Sequence, residues 1–184
     1  MNNPQETLQD LILRLASLPH ETEWLEFKVN NKNPEKIGET LSALSNSAAL
    51  HKQDYGYIVW GVADAPHEIV GTEFQPRTMR ISGQDLEHFL NIQLRPHTNL
   101  SIQEAEIDGK SVVVFQVERA MYAPISYRGQ EWIRIGSHNK PLREFFSIEK
   151  RLWQAFDKAA FETAGAASGL MDPLEGDTPP PFGH

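Results

Sequence analysis

Between Tyr57 and Val62 the chain reads YIVWGV, a run without a charged side chain and rich in β-branched and aromatic residues. Such residues suit a pleated surface, and a strand with no polar alternation is covered on both faces rather than on one. A chain holding this strand must therefore place an apolar layer above it and another below. Two upstream segments can supply them. Leu8, Leu11, Ile12 and Leu15 repeat at the spacing of one helical face over residues 5–17, and Pro19 closes that helix. Ile37, Leu41 and Leu44 form a second stripe in a helix ending near Leu50, which opens with Asn33 as cap, Pro34 in the first turn and Glu35 near the positive end of the dipole. Between the helices, Trp24 to Lys28 alternates as a strand, with Leu25 and Phe27 on one side and Trp24, Glu26 and Lys28 on the other.

Downstream, His67–Gly71 reads as a short strand. Ser82 with Asp85 three positions later predicts a capping box opening a helix to Ile92, whose Leu86, Phe89 and Leu90 face the core. Residues 100–107 and 111–118 form a hairpin through Asp108 and Gly109, a turn pair that tolerates positive φ. A strand at Glu131–Ile135 and a helix over Ser147–Thr163 follow. Strands interleaved with helices, plus a hairpin, predict an α/β (α+β) domain in which a mixed β-sheet packs with helices. Residues 1–164 form that domain. Residues 165–184, with three acids and three consecutive prolines from Pro179, are expected to be a disordered acidic, Pro-rich tail.

With no cysteine among 184 residues, disulfide scaffolds, thiol nucleophiles and cysteine zinc sites are excluded. No segment approaches the roughly 18 uninterrupted apolar residues of a membrane helix, so no membrane partner is expected. Glu6 and Asp10 in the first amphipathic stretch are unlike a signal peptide, and a cytoplasmic location is expected. The net charge of -8 argues against bulk attraction of nucleic acid. It is unevenly distributed, however. Arg119, Arg128, Arg134, Lys140, Arg143, Lys150 and Arg151 face only Glu131, Glu144 and Glu149 in one stretch, which permits a local basic surface.

Three segments carry candidate chemistry. ETEWLEFK (Glu21–Lys28) gathers acids just before a lysine, and on a strand Glu26 and Lys28 share a face. That is the spacing of a hard-cation ligand with a phosphate-orienting lysine; it is also the spacing of a surface ion pair. YIVWGVAD ends a buried strand on Asp64, where open sheets place ligands, although an aspartate there also serves as a turn former. WIRIGSHNK (Trp132–Lys140) runs a strand into donors that suit a phosphate, with Arg134 and Ser137 among them. Trp24 beside Glu26 is either a packing anchor or a stacking platform. No G-x-x-x-x-G-K phosphate loop occurs, so ATP is not expected.

In this order, and with the helix carrying Ser42, Ala43 and Asn46 between the first two, these segments resemble the Schlafen AlbA-like domain family over roughly residues 5–150. The resemblance implies a nucleic-acid-binding domain. Some relatives are metal-dependent endoribonucleases that cleave structured RNA such as tRNA; others are labelled transcriptional regulators that bind DNA. By resemblance the metal ligands for Mg or Mn fall on Glu21, Glu26 and Asp64, with Lys28 completing the catalytic set. Arg119, Arg128, Arg134, Ser137, Lys140 and Arg143 are expected to grip RNA or DNA, and a homodimer is expected because larger relatives build a cleft from two lobes. The alternative is a non-catalytic DNA-binding, transcription-regulatory or protein-interaction module.

Overall fold

The computed structural model of the chain describes residues 6–19, 22–64 and 66–168. In chain order the elements are α1 (Leu8–Ala16), β1 (Leu25–Lys28), α2 (Pro34–Leu50), β2 (Tyr55–Trp60), β3 (Arg80–Ile81), β4 (Gln84–Asp85), α3 (Leu86–Gln93), β5 (Leu94–Arg95), β6 (Leu100–Ile107), β7 (Lys110–Glu118), β8 (Ser126–Tyr127), β9 (Gln130–Ile135), β10 (His138–Pro141) and α4 (Phe146–Ser168). The first main sheet runs β1-β2-β7-β6, with β1 parallel to β2 and the other pairs antiparallel; the second runs β10-β9-β8-β5. Helices and mixed sheet pairing give the expected α/β (α+β) class.

The β2 strand is buried on both faces, as its sequence requires. Tyr57 and Val59 join Leu25, Phe27, Val112 and Val114 under Leu11, Ile12 and Leu15 of α1. Ile58 and Trp60 point the other way, into a larger core with Ile37, Leu41 and Leu44 of α2 and with Phe115. Gly56 lets the helix come close: a Cβ there would lie 2.8 Å from Leu44 Cβ.

The single apolar stripe expected on α2 understates its burial. From Thr40 to Ala49 every residue is buried, because the second sheet covers the side of α2 that faces away from the first. The polar residues on that side replace a missing strand. Short β8 pairs only with Glu131 and Gln130 of β9, so the backbone of Trp132 and Arg134 lacks a strand neighbour on that flank. Ser42 Oγ accepts from Trp132 N at 3.1 Å, Ser47 Oγ accepts from Arg134 N at 3.2 Å, and Asn46 Nδ2 donates to Trp132 O at 2.8 Å. Asn46 also donates to Ile125 O at 2.9 Å and accepts from Ile125 N at 2.7 Å.

Several local expectations shift. Ser82 is not a cap: Ser82 and Gly83, both at positive φ, make the β3–β4 turn, and α3 begins at Leu86 without a side-chain cap. The capping box lies instead at Thr7 and Asp10 of α1. The His67–Gly71 strand reduces to one bridge, Val62 to Ile69. Residues 138–141 form a strand, β10, because Gly136 at φ 59 reverses the chain two residues earlier. Helix α4 continues to Ser168, past the expected end and into the segment read as tail; residues 169–184 lie outside the described residues. The Asp108–Gly109 hairpin forms as expected.

Two predictions follow from this packing. Replacing Asn46 by Leu keeps the volume but orphans buried polar groups of Ile125 and Trp132, so urea unfolding should show a loss of about 2–4 kcal/mol. The second concerns Tyr127, whose ring lies where a Cβ on Gly38 would sit and whose hydroxyl donates to Glu35 Oε2 at 3.1 Å. Burial, with Glu35 adding to it, pushes its phenol up to about 12. The folded value exceeds the unfolded one of about 10, so this group's stabilisation is complete below pH ~10 and is lost as pH rises towards ~12. The ultraviolet difference titration between the native chain and Tyr127→Phe should show one phenol ionising near pH 12; ionisation near pH 10 would contradict the packing.

Candidate functional site

The β1 strand lies at the edge of the first sheet, and its alternation decides what the edge presents. Leu25 and Phe27 enter the α1 core, so Glu26 and Lys28 point to the other face, towards α2 and the β9–β10 hairpin. Lys28 Nζ donates to Glu26 Oε1 at 2.7 Å, with both side chains largely shielded. The second carboxylate oxygen, Oε2, is paired with Arg134 Nη2 from β9. Arg134 is only 2% exposed, and its Nη1 donates to Asn139 Oδ1 of β10 at 3.1 Å, while Asn139 donates in turn to Thr40 Oγ1 of α2. One carboxylate thus joins the two sheets and carries a cation on each oxygen. Lys28 and Arg134 together exceed Glu26 by one positive charge.

The loop after β2 is shaped by two glycines. Gly61 (φ 96) and Gly71 (φ 85) touch: a Cβ on Gly61 would meet Ser111 O at 2.7 Å and Gly71 Cα at 3.3 Å. Gly61 O accepts from the amides of Val70 and Gly71, Gly61 N donates to Lys28 O, and Thr72 N donates to Ser111 O. This closure carries Asp64 to the mouth of a cleft of about 560 Å³, lined also by Glu26, Lys28, Asn30, Asn31 and Ser137. The floor segment is held from below, since Trp60 Nε1 donates to Asn31 O at 2.7 Å and Thr72 Oγ1 to Val29 O at 2.6 Å.

The structure therefore brings Glu26, Lys28, Asp64 and Ser137 to one cleft, from three distant stretches of sequence. Glu21 lies outside the described residues. Arg134 stands beneath the cleft as the internal partner of Glu26 rather than as an exposed phosphate contact. The remaining basic candidates disperse. Arg119 lies past the end of β7, beside Asp54 at 3.9 Å, at the opposite end of the sheet from Asp64. Arg128 pairs with Glu35 at 3.1 Å and lies over the Phe89 ring. Lys140 and Arg143 are exposed, Lys140 on the side of β10 opposite Asn139. Trp24 packs edge-on against Tyr57, centroids 6.2 Å apart, as a packing anchor.

Glu23 is a residue the motif reading passed over. Its Oε1 accepts from Gly136 N at 3.2 Å and its Oε2 lies 2.7 Å from His51 Nε2, so it fastens the β9–β10 turn to the end of α2. Only its place in the acidic run ETEWLEFK marked it. A hard divalent cation needs several oxygens converging on one point. Both oxygens of Glu26 face cations, and among the described residues no three acidic or histidine side chains gather to hold a metal. The described residues do not by themselves make a metal centre. They make a recess lined by Glu26, Lys28 and Asp64 together with the amide side chains of Asn30 and Asn31 and the hydroxyl of Ser137, suited to a polar ligand.

A family profile described as Schlafen, AlbA_2 matches residues 21–143. No curated protein matches the chain. Among solved structures, the DIP2311 protein from Corynebacterium diphtheriae is similar at 18% identity and a TM-score of 0.43, over 72% of this chain and 25% of that one. The N-terminal domain of a RecG-related protein from Nitrosomonas europaea is similar at 23% identity and a TM-score of 0.42, over 71% of this chain and 90% of that one. This chain spans a quarter of the length of the Corynebacterium protein. The matched profile takes in well over half of the sequence, from the acidic segment before β1 to the residues just after β10, and with it every side chain of the cleft: the chain belongs to the Schlafen AlbA_2 family.

Proposed function

We propose that this domain binds nucleic acid, with the sugar-phosphate backbone entering the cleft beside β1. The observation that carries the reading is the convergence of Lys28 with the polar side chains of Asn30, Asn31 and Ser137 on one open recess. On a chain of net charge -8, the cations Lys28 and Arg134 balance the carboxylates Glu26 and Asp64, and Lys28 lines an open recess of about 560 Å³. Asn30, Asn31 and Ser137 add neutral polar groups that suit phosphate and sugar oxygens. Against a net charge of -8, binding through these few contacts is weak and salt-sensitive. Family membership supports the same ligand class.

Fluorescence anisotropy at low salt with single-stranded RNA, tRNA and duplex DNA tests this. Lys28→Gln should weaken binding by about tenfold across sequences and reduce the salt slope by about one. No binding of any of the three by the native chain would overturn the proposal.

A second reading, a metal-dependent endoribonuclease acting on structured RNA such as tRNA, is favoured by one observation: Glu26 and Asp64 line the same cleft. In it Glu21, Glu26 and Asp64 hold Mg or Mn. Incubating tRNA with Mn and the native chain, Glu26→Gln or Asp64→Asn should then give cleavage by the native chain alone. Equal cleavage by all three would sink the catalytic reading and leave the binding reading standing.

A further inference from the structure

Helix α4 buries Leu152 and Phe156 against the main core. Its other side is aromatic. Phe146 is 78% exposed, Phe161 80% and Trp153 44%. With Lys150 and Asp157 they fall 4, 7, 11 and 15 positions along from Phe146, which places all five on one helical face. Scattered exposed apolar residues are ordinary, but three aromatic rings aligned on a helix of 23 residues are a patch that calls for a partner.

We infer that this face receives a second copy of the chain, with α4 packed antiparallel on the partner's α4. A two-fold interface requires a surface complementary to itself, and this one is. An axis crossing the helix between Trp153 and Gln154 sets Phe146 opposite the partner's Phe161 and Lys150 opposite the partner's Asp157, and brings the two Trp153 rings together at the centre. Each pairing occurs twice, apolar against apolar and cation against anion. Lys150 and Asp157 are exposed and make no ion pair among the described residues, whereas neighbouring Lys158 is engaged by Glu162 at 3.9 Å.

The extent fits a modest dimer. Twenty-three residues span about 34 Å of helix at roughly 1.5 Å per residue. Aromatic side chains carry roughly 150–250 Å² each, so three rings exposed to this degree supply about half of the ~800 Å² per partner that a stable interface buries. The stems of Lys150 and Gln154 extend the contact. The patch is built from α4 alone and uses no residue of the cleft, so association leaves the β1 site open.

Sedimentation velocity on the full chain, from roughly 1 to 200 μM, tests the inference. The mass should rise from 20.8 kDa to twice that value with a Kd on the order of micromolar. Trp153→Glu combined with Phe161→Glu, both at exposed positions, should remain monomeric while keeping the native circular dichroism spectrum. Lys150→Glu and Asp157→Lys should each weaken association by about tenfold through like-charge contact repeated by symmetry, and the double swap should restore it. A chain that stays monomeric throughout, a dimer that survives the double glutamate change, or a double swap without recovery would overturn the inference.

Discussion

The hydrogen bonds that α2 sends into the second sheet are the constraint on which the rest of the domain depends. A helix buried on all sides normally carries only apolar residues, yet α2 holds Ser42, Ser45, Asn46 and Ser47 at its centre. Each has a specific backbone partner. Ser42, Asn46 and Ser47 satisfy the flank of β9 that β8 leaves uncovered, and Ser45 Oγ donates to Glu118 O at the end of β7. An apolar helix could slide or rotate against a sheet at small cost. These groups fix the register, because a shift by one residue would strand several of them without partners.

Fixing that register positions Arg134. Its amide is tied to Ser47, so its side chain leaves β9 at a set height and meets Glu26 on β1. A guanidinium this deeply shielded needs a carboxylate close by, and β1 presents one because its alternation sends Glu26 inward. The acid is thereby held by the architecture of both sheets. Lys28, two residues along on the same face, takes the remaining oxygen, and its side chain is shielded to the same degree as that of Glu26. The chemistry available at the cleft is set by this shared carboxylate more than by any single exposed group.

Much of this was legible in the sequence and some was not, for physical reasons. Elements with strong local signals were readable: the uniformly apolar β2, the Asn33–Pro34 helix start and the Asp108–Gly109 turn each rest on nearest-neighbour chemistry. Ser82 misled because serine favours both caps and turns, and the Gly83 beside it decides between them. The short strands β5, β8 and β10 carry too few residues to show alternation. At the site, the shared face of Glu26 and Lys28 follows from strand periodicity alone. The inward turn of Arg134 does not: its strand is short and mixed, and only the docking of α2 shows which side is interior. Arg119 and Arg128 looked like members of one basic stretch because closeness in sequence says little about which end of a sheet a residue reaches.

The charged face of β1 bears on how the domain behaves in a crowded solution. A strand at a sheet margin offers unpaired amides and carbonyls to any extended peptide that approaches, and a long flat one invites runaway stacking into fibrils. Here the margin is four residues long and alternates apolar side chains with an inward-facing acid and base. An incoming strand would have to lie beside Glu26 and Lys28, whose charges are already engaged with each other and with Arg134. The same two residues that give the recess its character also guard the flank of the sheet, so a substitution that neutralised both would change the recess and expose a nucleation point for aggregation together.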